Sequence, residues 1–409
     1  MSSSTPAAPP KPKRRWLTFS LRSFLAFTLL AGLVAAYFSN LYRHVSKRRA
    51  TLARLSELGF SHEYDFDSEV EWRKERRPLD RLRHPPGPWI GRAVIGDDAY
   101  ATVMVVRNGY RQEYRQPNSI ENLKLLADLP EARTVSLSGS WVTDDVVEHL
   151  AKVRGLQGVE LHSTKVSPQG FARLAKLSGL KTLDLEGDNL NDETFEHLHE
   201  LPHLERLNVQ EFALTPAGLA HLGKIASLES LSIFNVQGID ANSLQHLASL
   251  EKLDELVLYG LSLDEAAAAQ IGRIKSLKSV MFQKCGMNDE AARRLGALSE
   301  LESLSLGEMP LLGDGCVEAF LPLRRLEQVF FNDSQLTDDG FLQLAAMPSL
   351  QVISIDSTPG PGGTLTPTLV TAAAGKKFAD LRPECNVYAG GFSHRPREYV
   401  LRRERKKAK

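Results

Sequence analysis

One pattern constrains this chain more than any other: an apolar triplet, Leu-x-x-Leu-x-Leu, that returns along the 409-residue sequence. Its first position is held by Leu156, Leu180, Leu204, Leu228, Leu253, Leu277, Leu301, Leu326 and Leu350, and a degenerate copy opens at Ala132. The step is 24 residues, except for 25 after Leu228 and after Leu301. Both extra residues fall in the same place. The apolar residue that normally sits five after the third Leu slips to six, at Ile239 and Leu312. A fixed period of this length, with insertions confined to one loop, is the mark of stacked structural units.

Within a unit the periodicity changes. The last three positions of the triplet alternate as a short strand does. A helix N-cap residue follows: Thr143, Ser167, Asn191, Thr215, Asp240, Asp264, Asn288 or Thr337. Such side chains accept from the free N–H groups of a helix's first turn. Pro168 and Pro216 stand at the first helical position, where Pro is tolerated. Asp144, Asp192, Glu265, Asp289 and Asp338 stand there too, on the favourable side of the helix dipole. Apolar spacing then turns helical, as in Phe195, Leu198, Leu201. Each unit therefore reads as strand, turn, helix.

One such unit cannot bury its apolar side alone, whereas ten stacked units form a continuous core. Strands about 4.8 Å apart give a sheet roughly 45–50 Å long. Helices are wider than strands, so the stack must curve with the sheet inside. The cadence, for example "LEQVFFNDSQLTDDGFLQLAAMPS", resembles the leucine-rich-repeat family over residues 129–358. It is most similar to the class with full helices, found in bacterial repeat proteins and in the repeat half of F-box substrate receptors. The expected fold class is α/β: a horseshoe-shaped leucine-rich-repeat solenoid with a parallel concave sheet, convex helices and one N-terminal transmembrane helix. The family often carries Asn or Cys three after the third Leu. Here only Cys285 matches, so no continuous side-chain ladder is expected at that position.

The ends differ from the body. Residues 1–54 carry ten Lys/Arg and no Asp/Glu. The last fifteen residues are also basic, and the intervening body is acidic within a net charge of zero. An acidic body argues against nucleic-acid binding by the repeats. Phe24–Phe38, extendable to Tyr42, is apolar and uncharged. About nineteen helical residues span some 28 Å, enough for a bilayer core. A cleaved signal peptide ending at Val34-Ala35-Ala36 is the rival; the Arg and Lys residues that follow at once favour an uncleaved anchor. The arrangement resembles bacterial membrane-anchored leucine-rich-repeat proteins. A basic amphipathic helix, Ser46–Leu58, comes next, and residues 60–100 read as irregular. The resulting division is a disordered basic N-terminus (1–22), a transmembrane helix (23–42), a juxtamembrane helix and linker (43–88) and a capping repeat (89–130). The leucine-rich repeats (131–358), a C-terminal cap (359–392) and a disordered basic tail (393–409) complete it.

No catalytic constellation stands out: there is no P-loop, nucleophile elbow or zincin motif. Gly96-Asp97-Asp98 reads as a turn, and the three cysteines as small buried hydrophobes. No cofactor or metal is expected. The informative positions are those between the buried Leu residues, which face away from the core. Glu160, Asp184 and Glu186, with Glu211 nearby, make an acidic patch; Phe234, Val257, Tyr259 and Met281 make an apolar one beside it. Anchors to desolvate beside charges to steer are what a protein-binding surface needs. The expected function is a membrane-tethered, non-enzymatic interaction scaffold whose protein partner lays a basic segment on the concave sheet. Alternatives are an F-box-repeat-like substrate-recognition subunit and an enzyme using residues 55–128.

Overall fold

The structure, a computed structural model, describes residues 21–64, 103–108, 120–153, 155–187, 190–355 and 368–396. Gly96-Asp97-Asp98, the extreme N-terminus, the turn at 359–363 and most of the basic tail lie outside them. Fourteen described strands form one sheet in chain order. From β2 (Val103–Asn108) to β13 (Asn386–Ala389) each strand pairs with the next in parallel. The repeat strands are β3 (Thr134–Ser138), β4 (Gly158–His162), β5 (Thr182–Glu186), β6 (Arg206–Gln210) and β7 (Ser230–Phe234). They continue as β8 (Glu255–Tyr259), β9 (Ser279–Gln283), β10 (Ser303–Gly307), β11 (Gln328–Phe330) and β12 (Val352–Ile355). Second and third Leu positions pair with their counterparts, as Leu183 with Leu207 and Leu185 with Val209. This register stacks identical apolar layers into one uninterrupted core, with helices packed behind the sheet. The chain is a leucine-rich-repeat solenoid.

The N-caps read from the sequence open the helices, and in seven of the eight the side-chain oxygen accepts from a backbone N–H of the first turn; Thr143 caps by backbone geometry alone. The Asp at the first helical position does more than face the dipole. It reaches across to the next repeat's cap. Asp144 accepts from the Ser167 amide at 2.8 Å and its hydroxyl at 2.6 Å. Asp192 accepts likewise from Thr215, Asp314 from Thr337, and Asp338 from Thr371. A discontinuous ladder thus ties helix starts together, away from the position where the family's Asn or Cys would stand.

A second regularity lies two residues after the third Leu. There the backbone is left-handed in nine successive units: Gly139, Ser163, Gly187, Glu211, Asn235, Gly260, Lys284, Glu308 and Asp333. Each turns the chain off the sheet toward its helix, and several donate their amide to the next strand's last carbonyl, as Ser163 to Glu186. Six of the nine are not glycine, in a conformation that strains residues bearing a Cβ.

The ends are closed by antiparallel strands. β1 (Phe60–Tyr64) pairs with β2, a strand in a stretch that reads as irregular from sequence. Its alternation is too short to register: Phe60 is apolar and buried, and Ser61, His62 and Glu63 are polar. At the other end β14 (Phe392–His394) folds back on β13 through Gly390-Gly391, both at positive φ. A two-residue turn of that conformation matches the twist of a hairpin. One helix, α1 (Leu21–Glu57), runs through both the apolar segment and the basic amphipathic segment. Its last turns bury Val45, Leu52, Leu55 and Leu58 against the first repeat, with Lys47–Asp128 at 2.7 Å and Arg48–Glu131 at 3.6 Å on the flanks. Leu52, Leu55, Leu58 and Phe60 belong to the solenoid's own core.

Candidate interaction surface

The strand residues between the Leu positions form two parallel rows on the free face of the sheet. One runs Glu160, Asp184, Asn208, Ser232, Val257, Met281; the other runs His162, Glu186, Gln210, Phe234, Tyr259, Gln283. All seven residues picked out from the sequence lie in these rows, so the sheet brings them together.

At the β4–β6 end the surface is acidic and tightly tied. His162 Nδ1 lies 2.9 Å from Glu186 Oε2. Asn208 Nδ2 donates to Asp184 Oδ2 at 2.9 Å. Asp184 faces the free side of the sheet yet is only 4% exposed, covered by its neighbours. Burial pushes its carboxyl up to about 6; His162 and the Asn208 hydrogen bond pull it down, while Glu160 and Glu186 add to the rise. Its Oδ1 accepts no hydrogen bond, and neither does the Oδ1 of Asn208. Arg206, one row toward the strand starts on β6, is exposed.

At the β7–β9 end the surface is apolar. Phe234 and Tyr259 are register partners, and their rings stack at 6.0 Å between centroids with 30° between planes. Val257 is half-buried beside them, and Met281 is 47% exposed. Lys284 closes this shelf: its Nζ lies 5.2 Å from the Tyr259 ring centre and 3.3 Å from Glu308. Beyond it, Gly307 leaves a notch of about 100 Å³ lined also by Met281, Gln283, Ser305, Glu308 and Asn332.

Sequence reasoning passed over four of these contributors. His162 and Asn208 stand in the outward rows but carry no acidic or apolar label. Lys284 and Glu308 stand at the left-handed turn, a position recognisable as two after the third Leu. Among the described residues no group of three or more His, Cys, Asp or Glu is set to hold a metal ion. The three cysteines are buried, and burial raises their thiols to about 11 for Cys285 and about 12 for Cys316 and Cys385.

No family model matches the chain, and no curated protein matches it. Among solved structures it is similar to an internalin from Listeria monocytogenes, at 16% identity and a TM-score of 0.43. That match covers 71% of this chain and 89% of the internalin. The solenoid and its outward rows therefore stand on the chain's own periodicity, register and burial.

Proposed function

We propose that the protein is a membrane-tethered interaction scaffold. Its partner lies along the free face of the sheet, with a basic segment against Glu160, Asp184 and Glu186 and apolar side chains against Phe234, Val257, Tyr259 and Met281. The observation that carries this reading is the stacked Phe234–Tyr259 pair with exposed Met281 beside it on the free face of the sheet. Apolar and aromatic side chains gathered into one patch, beside like charges, supply both desolvation energy and steering. Curvature adds to it, since a face inside the bend surrounds an extended partner.

The tether draws on α1. Its first turns expose Phe24, Leu25, Phe27, Leu29, Leu30, Leu33 and Val34, and Phe24–Glu57 is long and apolar enough to cross a membrane. The helix also passes unbroken through Val34-Ala35-Ala36.

A photo-crosslinking residue placed at Ser232 tests the binding face, with one at Lys176 on the helix side as control. The expected outcome is a discrete protein adduct from Ser232 alone, reduced at least tenfold by Phe234→Ala with Tyr259→Ala. Equal adducts from both positions, or no effect of the double substitution, would reject the face. Alkaline carbonate extraction and intact mass test the tether: the full-length chain should remain in the membrane pellet.

A further inference from the structure

The acidic end of this surface holds an unusual pair of atoms. Asp184 Oδ1 and Asn208 Oδ1 sit on register-paired residues of β5 and β6, and neither accepts a hydrogen bond. The Asn208 amide cannot turn to help, because its Nδ2 already donates to Asp184 Oδ2. Two shielded acceptors without donors are costly in a folded protein. Around them stand the carboxylates of Glu160 on β4 and Glu186 on β5, both half-exposed, and His162, which is engaged with Glu186. The group that satisfies this arrangement carries several N–H donors and a positive charge on a long, thin stem. Glu160 and Glu186 stand on either side of the approach to these oxygens and would flank such a group. A lysine ammonium or arginine guanidinium has that chemistry.

The apolar shelf lies at a fixed distance from this point. Asp184 on β5 and Val257 on β8 occupy the same row, three strands apart. At about 4.8 Å per strand the separation is about 14 Å. An extended chain crossing the strands advances about 3.3 Å per residue, so it covers this span in about four residues. Four is an even number, so both side chains point at the sheet. The residue midway passes between Asn208 and Ser232, and the small Ser232 side chain leaves room.

We infer that the surface recognises an extended segment of a partner protein. One Lys or Arg enters between Glu160 and Glu186 to reach the Asp184–Asn208 oxygens, and a large apolar residue four positions away lies on Val257, Tyr259 and Met281. The inference rests on the scaffold reading above and adds to it the chemistry and spacing of what is bound. It also assigns Asp184 and Asn208 as determinants of the basic residue, and Tyr259 as a determinant of the apolar one.

Selection of random twelve-residue peptides displayed on phage, against the full-length chain in nanodiscs, tests it. Enriched peptides should share Lys or Arg and a large apolar residue four apart. Selection on Asp184→Asn should lose the basic preference at least tenfold and keep the apolar one; selection on Tyr259→Ser should do the reverse. Asp184→Asn keeps the size and shape of the side chain, Tyr259→Ser removes a half-exposed ring, and circular dichroism checks the folding of both. Peptides that need Phe234 and Tyr259 but show no basic residue at fixed spacing would overturn this motif and leave the scaffold reading standing. Peptides indifferent to all these substitutions, or no enrichment at all, would overturn both.

Discussion

At the scale of the residue, Asp184 sets the terms. Its carboxyl titrates near 6 rather than 3.8 because burial disfavours the charge more than His162 and Asn208 restore it. The folded chain therefore holds this proton more tightly than the unfolded one, and ionisation opposes folding. The penalty is absent below about pH 3.8, grows as pH rises to about 6 and is full above that. Two pKa steps correspond to about 3 kcal/mol at most. Asp184→Asn should accordingly stabilise the protein by about 1–3 kcal/mol at pH 8, with the gain shrinking toward zero near pH 4. Denaturant midpoints across that range check it; a variant less stable than wild type at pH 8 would show that the charge is satisfied within the fold. The sequence shows Asp184 facing out, since alternation fixes its direction. It does not show that neighbours bury it, because burial there depends on the side chains of β4 and β6 at matching register.

At the scale of the element, the repeat is legible almost to the residue, because strand alternation, cap chemistry and helix spacing all agree. The eight caps read from the sequence stand at eight helix starts. Contacts between units are less legible, since they join residues 23 or more apart that have no local signature. The Asp-to-cap bridge is one, and it explains a glycine. Where Asp bridges to Ser or Thr, the third helical residue of the receiving unit is Gly170, Gly218 or Gly340 in three cases. A Cβ on Gly340 would lie 2.1 Å from Asp314 Oδ1, and one on Gly218 would lie 2.3 Å from Asp192 Oδ1. Helix propensity alone says that Gly→Ala stabilises by about 1 kcal/mol. Here the sign should reverse. Gly340→Ala should destabilise by about 1–2 kcal/mol, roughly the worth of a displaced cap bridge. In an Asp314→Ala background the same substitution should become neutral or stabilising. A double-mutant cycle read by thermal unfolding decides it, and additive effects would exclude the steric coupling. β1 and β14 are elements that sequence reasoning lost, because strands of five and three residues are too short to show a period.

At the scale of the whole molecule, the long helix and the solenoid are one piece. Leu52, Leu55 and Leu58 enter the same core as the repeats, so the junction is packed rather than hinged. Leu55 is 2% exposed, and Leu55→Ala should weaken the docking by about 2–4 kcal/mol. Hydrogen exchange should find the amides of residues 46–57 protected in the wild type. They should open at least tenfold faster in the variant, while β5–β10 are unchanged. Wild-type amides there that exchange as fast as a free helix would mean that the junction is loose. Leu21–His44 project beyond the docked portion by about 36 Å at 1.5 Å per residue.

A stiff stalk has a consequence for who can be met. A head on a flexible leash sweeps a hemisphere, and its effective concentration toward any neighbour is an average over that volume. A head fused to its stalk samples a narrow shell instead. If the stalk stands in a bilayer, every copy offers its free sheet at the same height and tilt. A partner whose recognition segment reaches that height meets a raised local concentration. One anchored too short or too far away is excluded by geometry, however well its residues match.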